Sequence, residues 1–129
     1  MWTIIKFDKK SFNFFKNELS EKLSSEHILY SPKLLVHKYK NNKLIEKEYN
    51  ILGDYVFCYD KKLENKAILA KLKFVKGLKC ILNGFSTSQD EIVSFINKCK
   101  EFENEKGYIT QNLFHIEKDL RYKFSSGPF

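Results

Sequence analysis

Apolar and polar positions change period several times along the chain, and each change marks an element. Trp2-Thr3-Ile4-Ile5-Lys6-Phe7 places apolar groups on both faces of an extended segment, which predicts a central strand. Ser11 then offers an N-cap. Phe12, Phe15, Leu19 and Leu23 follow at spacings of three, four and four, the stripe of an amphipathic helix over about residues 11–23. From 27 to 59 the pattern is β. His27-Ile28-Leu29-Tyr30 runs into Ser31-Pro32, and Pro32, lacking a ladder donor, fits a strand edge or bend. Lys33–Lys40 and Leu44–Asn50 flank Asn41-Asn42-Lys43; because Asn tolerates positive φ, this predicts a hairpin. Its strands mix Lys, Glu and Tyr, so one of its faces should be exposed. Asp54–Tyr59 is denser in apolar groups and predicts a second central strand.

Residues 64–72 suit a short helix around Ala67, Ile68 and Leu72. Gly77 breaks it, and Leu78–Leu82 predicts another buried strand that ends at Asn83-Gly84. Ser88-Gln89-Asp90-Glu91 has the spacing of a capping box. The Ser oxygen would accept from the Glu91 amide, and Glu91 would reach back to the Ser88 amide. Ile92, Ile96 and Cys99, with Phe95 and Phe102 beside them, carry that helix to about 103. The expected order, β-α-β-β-β-β-α-β-α, is that of an α+β domain: a mainly antiparallel, four-stranded type of sheet flanked by helices. Residues 108–129 alternate weakly and stop on Phe129 just after a turn signal, which predicts a chain that continues past this point.

At 129 residues the chain has room for one domain with its own core, and 43% hydrophobic with 30% charged residues is a globular composition. The net charge of +7 favours acidic partners, nucleic acid or a carboxylate-lined protein. Against this, 22 Lys to a single Arg, Arg121, together with abundant Asn, is also what an AT-rich genome produces whatever the function. Cys58, Cys80 and Cys99 show no C-x-x-C spacing, and their odd number predicts reduced thiols in a cytoplasmic protein. Lys6 and Asp8 interrupt the first apolar run, so no signal peptide is expected. No run approaches the ~20 apolar residues that cross a bilayer, so no membrane partner is expected either.

Candidate chemistry is sparse. Neither the phosphate-cradling G-x-x-x-x-G-K-[ST] nor G-x-G-x-x-G occurs. His27, His37 and His115 are far apart and none has a partner at metal-ligand spacing, so neither a metal nor a cofactor is expected. Cys58 and Cys80 fall in predicted strands, where a thiol is usually a small core group. Asp90 and Glu91 suit a helix N-terminus, and Glu101, Glu103 and Glu105 a solvated helix end. These features predict a protein that is not an enzyme and has no small-molecule substrate. Between 61 and 79 lie seven lysines (61, 62, 66, 71, 73, 76 and 79) and one acid, Glu64. They could hold phosphates, but a solvated face is the simpler expectation. The aromatic residues fall at core spacing, without the aromatic and basic signature of single-strand binders.

Four segments then resemble one family. Trp2-Thr3-Ile4-Ile5 resembles the Trp-Tyr-x-apolar opening strand of the N-terminal domain of the NusG family. Leu52-Gly53-Asp54-Tyr55-Val56-Phe57 is similar to that family's Phe-Pro-Gly-Tyr-Val-Phe strand, and a charged hairpin precedes it after Tyr30-Ser31-Pro32. Val75-Lys76-Gly77-Leu78-Lys79-Cys80-Ile81-Leu82 is similar to the Pro-Gly-Val-x-x-Phe strand. Asp119 to Phe129 resembles the Gly-Asp-x-Val-Arg-Ile-x-x-Gly-Pro-Phe segment that opens a KOW domain. The resemblance covers nearly the whole chain in the family's order. It divides the chain into a NusG N-terminal-like domain over 1–118 and, over 119–129, a linker or start of a KOW domain. Gly53 and Asp54 replace the family's Pro-Gly, Asp119 lacks the preceding Gly, and Ile81 stands where an aromatic is common. These departures point to a divergent, specialised paralogue.

The resemblance implies an elongation or antitermination factor that sits on the clamp helices of the RNA polymerase largest subunit and reduces pausing by favouring the closed clamp. An apolar pocket would receive the tip of a helical hairpin. Leu52 and Tyr55 would line it, with Ile81 and Trp2 beside them, although for Trp2 and Ile81 core packing is an equal reading. Lys9, Lys10 and Lys16 would lie near the non-template DNA strand. The alternative is a stand-alone RNA-binding α+β module, which predicts exposed aromatics on the sheet face.

Overall fold

The computed structural model describes residues 1–109; the KOW-like segment expected over 119–129, the end of the first expected domain and His115 lie outside the described residues. In chain order the elements are β1 (Trp2–Phe7), α1 (Phe12–Lys22), β2 (Ile28–Tyr30), β3 (Lys33–Lys40), β4 (Lys43–Asn50), β5 (Tyr55–Tyr59), α2 (Lys66–Leu72), β6 (Leu78–Ile81), α3 (Gln89–Glu101) and β7 (Tyr108–Ile109). The chain is α+β, with mostly antiparallel strands flanked by helices. Its described part forms two compact units. One comprises Met1–Tyr30 and Asp54–Gln89; the other comprises Ser31–Gly53 and the segment that begins at Asp90.

The first unit is built on a four-stranded antiparallel sheet in the order β2-β5-β1-β6. With the β3–β4 hairpin left out, the chain runs β-α-β-β-α-β with the first strand inside the sheet, the split βαβ arrangement. Both central strands were expected from their apolar faces, and they pair with each other, Ile4 opposite Phe57 and Ile5 opposite Val56. Ile5, Phe7, Val56 and Cys58 on one sheet face join Phe15, Leu19 and Leu23 of the α1 stripe and Leu63, Leu72 and Val75 in one buried cluster. Phe7 and Phe15 stack there with centroids 5.9 Å apart. Each such side chain contributes about 1.5–3 kcal/mol on burial. On the opposite sheet face Ile4 and Phe57 are also buried.

The second unit holds a three-stranded sheet, β4-β3-β7, separate from the first where the sequence pattern predicts one sheet; β7 runs parallel to β3. Asn41 (φ 53°) and Asn42 (φ 60°) supply the two left-handed residues of a type I′ turn, which leaves Lys40 opposite Lys43. α3 buries Ile92, Phe95, Ile96 and Cys99, one stripe at helical spacing.

Two expected caps do not form. Ser11 makes no side-chain cap bond: it ends a 3-10 turn, Lys9–Ser11, for which Asp8 is the cap, its carboxylate accepting from the Lys10 amide at 3.1 Å. Ser88 follows the 3-10 turn Phe85–Thr87, and its buried hydroxyl finds no hydrogen-bond partner among the described residues. The two serines share one backbone conformation, φ −111° and ψ 20° at Ser11, φ −112° and ψ 20° at Ser88. An N-cap hydroxyl needs extended backbone to turn back onto the next amides, so neither can act. The helix expected over 64–72 is also split, into a 3-10 turn, Lys61–Glu64, and α2, which Asn65 caps through the Ala67 amide at 2.8 Å.

Candidate docking face and basic hairpin

The β1–β5 register sorts the expected polymerase-binding residues by face. Trp2 pairs with Tyr59 and Lys6 with Tyr55, so Trp2, Ile4, Lys6, Tyr55, Phe57 and Tyr59 share one face. Tyr55 is half-buried, with the Lys6 ammonium 5.7 Å from its ring centroid and 4.0 Å from the Asp54 carboxylate. Trp2 lies at the other end of that face, its ring edge-on to Phe57 at 6.4 Å and tilted against Tyr59 at 5.3 Å. Its backbone is clasped by Gln89, whose Oε1 accepts from Trp2 N at 2.8 Å and whose Nε2 donates to Trp2 O at 2.7 Å. Four residues of strand separate Trp2 from the Tyr55 end, about 13 Å. Between them Ile4 and Phe57 are 0% and 1% exposed, so the middle of the face is closed.

Ile81 is opposite Ile5 and therefore on the other face, where it packs against the buried cluster. Of its two expected roles, this position is that of a core residue. Leu52 lies in the turn that follows β4 and is 6% exposed. Trp2 and Tyr55 thus share a face at its two ends, and Ile81 does not join them.

Lys9 and Lys10 are exposed and line a cleft of about 570 Å³ with Phe12, Phe14 and Lys76. Lys16 stands beside it, its ammonium 5.3 Å from the Phe12 ring, and Lys76 covers the Phe14 ring at 4.9 Å. In sequence Lys76 belongs to the 61–79 run. It is brought here by its amide, which donates to Glu18 Oε2 at 2.7 Å. The other lysines of that run are exposed on a 3-10 turn, α2, the loop after it and β6, so the run does not form one patch in sequence order.

The thiols divide differently from expectation. Cys58 is fully buried, and burial, aided by the Asp60 carboxylate, pushes its thiol up to about 12. Cys80, expected in the core, is exposed, because β6 is an edge strand and Cys80 pairs with Lys6 on the face away from the cluster. Among the described residues no group of His, Cys, Asp and Glu could hold a metal ion.

The hairpin of the second unit has two chemically different faces, which the sequence hides because its charges alternate in sign along the strands. On one face Glu48 accepts from Lys33 Nζ at 3.1 Å and from the Tyr108 hydroxyl at 3.0 Å. The hydrogen bonds from Lys33 and Tyr108 hold that carboxyl below its ordinary value, and Glu48 in turn pushes the Tyr108 phenol up. On the other face Lys38 Nζ donates to the Tyr49 hydroxyl at 3.1 Å, which lowers the phenol, and Lys47 Nζ lies 5.1 Å from the same ring. No protein-family model matches the chain, and no curated protein is significantly similar to it in sequence.

Proposed function

We propose that the chain carries the polymerase-docking domain of a transcription elongation or antitermination factor of the NusG type. The observation that carries this reading is one of register. Three of the segments that resemble the family, at Trp2, Tyr55 and Leu78, are adjacent strands of one sheet, β5-β1-β6, and the charged hairpin is inserted between β2 and β5. Segments scattered over 80 residues of sequence then form one structural unit in the family's order.

The docking contact would be made by binding rather than by catalysis. Tyr55 is the residue on which it rests: a half-buried ring at the end of that face, with the Lys6 ammonium 5.7 Å from its centroid, of the amphipathic type that anchors interfaces. Ile81 would act as support from the opposite side of the sheet. Lys9 and Lys10, with Lys76, would supply positive charge toward the displaced DNA strand. A protein that binds the closed clamp better than the open one lowers the population of the open, paused state. The alternative of an RNA-binding sheet face is less well served, because Ile4 and Phe57 close the centre where bases would stack.

The test is a pull-down of bacterial core RNA polymerase with the wild-type protein and with Tyr55→Ala, both first shown to be folded by circular dichroism. Retention by the wild type and a tenfold or greater loss in the variant is expected. A folded wild-type protein that retains no polymerase overturns the proposal.

A further inference from the structure

The β3–β4 hairpin segregates its charges by face. Residues paired across the ladder share a face, so Leu34, Val36, Lys38 and Lys40 lie with Tyr49, Lys47, Ile45 and Lys43. That face bears four ammonium groups and no carboxylate, and the four lysines are all exposed. The opposite face holds Glu46 and Glu48, with Lys33 already engaged by Glu48 at 3.1 Å and His37 beside Glu46 at 3.7 Å. The Tyr49 ring orders part of the basic face. Lys38 donates to its hydroxyl at 3.1 Å and Lys47 lies 5.1 Å from its centroid, so these two flexible side chains are held with less entropy still to lose.

Like charges gathered on one exposed surface repel each other and weaken the fold unless a polyanion shares them. An interface with protein would place apolar anchors at its centre and few lysines, whereas here lysines dominate and Ile45 alone is a large exposed apolar group, at 41%. Single-stranded nucleic acid would need several rings free to stack on bases, whereas this face has one, Tyr49, with Lys38 bonded to its hydroxyl at 3.1 Å and Lys47 5.1 Å from its centroid. A two-stranded antiparallel ribbon is one of the two elements that enter the major groove of B-DNA, while the A-form major groove excludes it. With no Arg, Asn or Gln on the face, there is no side chain suited to bidentate readout of a base.

We propose that this hairpin face is a sequence-independent site for the phosphate backbone of duplex DNA, with Lys38, Lys40, Lys43 and Lys47 as its contacts. The site goes beyond the polymerase reading and does not depend on it, since the hairpin alone supplies the charge. It calls for binding that is weak at physiological salt and steeply dependent on it.

The experiment is fluorescence anisotropy of a labelled duplex of about 24 base pairs of mixed sequence, titrated with the protein at several salt concentrations and no polymerase present. Four ionic contacts correspond to a slope of about −3.6 in log K against log salt. Lys40→Gln/Lys43→Gln should reduce the magnitude of that slope by about 1.8 and weaken binding at low salt by more than about tenfold. Lys66→Gln/Lys71→Gln removes the same charge from α2 and should change affinity by less than twofold. All four positions are exposed, and circular dichroism checks that both variants fold. The proposal is overturned if the two double variants lose equally, if the hairpin variant keeps the wild-type slope, if the wild type does not bind duplex even at low salt, or if single-stranded RNA of equal length displaces the duplex.

Discussion

Ser24 closes on Asp60 with both of its donors: its amide gives a hydrogen bond to Oδ2 at 2.8 Å and its hydroxyl one to Oδ1 at 2.7 Å. The aspartate is 2% exposed, just past the end of β5. Burial by itself raises its pKa. The hydrogen bonds from the Ser24 amide and hydroxyl and from the Lys62 and Lys61 amides outweigh burial and hold the carboxyl below its ordinary 3.8. A carboxyl with a lowered folded-state pKa adds stability above its unfolded value and loses it as pH falls through the folded value. The contribution of Asp60 should therefore be intact from neutral pH down to about pH 5 and disappear progressively below its ordinary value. Asp60→Asn should destabilise the protein by about 1–3 kcal/mol at pH 7, because one Ser24 donor then faces an amide NH₂. In urea melts at pH 7, 5 and 3 the gap between wild type and variant should narrow only at the lowest pH. A gap that is constant across the series would show that the charge of Asp60 is irrelevant.

The three thiols should react at different rates. Cys80 is exposed on an edge strand, whereas Cys58 and Cys99 are fully buried. Reaction requires the thiolate, and a Cys58 thiol pushed up to about 12 supplies almost none at pH 8. An aromatic disulfide reagent should therefore modify one thiol quickly in the native protein and the other two only on unfolding. Cys80→Ser should abolish the fast phase and leave the slow ones. Two fast thiols in the native protein would mean that a buried strand or helix opens readily.

What the sequence made legible was whatever depends on period and local backbone. The two central strands, the α1 stripe and the Asn41-Asn42 turn follow from alternation, from spacings of three and four, and from the tolerance of Asn for positive φ. What it hid depends on junctions and parity. Ser11 and Ser88 have the residue type of caps, but each sits at the end of a 3-10 turn whose ψ near 20° turns the hydroxyl away from the helix amides. The face on which Ile81 falls is set by its pairing with Ile5, a long-range register that no local motif reports. Cys80 looks like a core residue in a short apolar run, yet parity turns it outward from an edge strand. The basic face of the hairpin is invisible in a linear string because Glu46 and Glu48 interleave with Lys43 and Lys47; only alternation across the pleat separates them.

The hairpin turn links that parity to binding. Asn41 and Asn42 both hold left-handed φ, a conformation that costs an ordinary L-residue about 1–2 kcal/mol and Asn less. Asn42→Gly should leave stability unchanged or raise it by up to about 1 kcal/mol, since Asn-Gly is the preferred type I′ pair. Asn42→Val should lower it by about 1–2 kcal/mol and fray the tip, seen as faster amide exchange at Lys40 and Lys43. If the strands slipped by one residue to escape the strain, lysines and glutamates would no longer be segregated and duplex binding would fall with the turn. A variant that keeps slow exchange at these positions would show that the turn is not the determinant of register.

Two glycines with similar backbone signs should respond very differently to a methyl group. Gly77 has φ +90°, and a Cβ there would lie 2.9 Å from Phe15 Cβ and 3.3 Å from Ser11 O. Phe15 cannot give way, being fully buried in the cluster under β1 and β5, and Gly77 is itself held, its carbonyl accepting from the Asp8 amide at 2.8 Å. Gly53 has φ +66° with nothing within 4 Å of its ideal Cβ. Gly53→Ala should then cost only the left-handed backbone term, about 1–2 kcal/mol. Gly77→Ala adds a clash that must displace α1 from the sheet, and should cost about 2–4 kcal/mol in all, a large share of a typical domain's stability. Denaturant midpoints of the two variants rank them directly. Equal losses would mean that α1 can shift without penalty and that Gly77 serves its positive φ rather than the close approach of the helix.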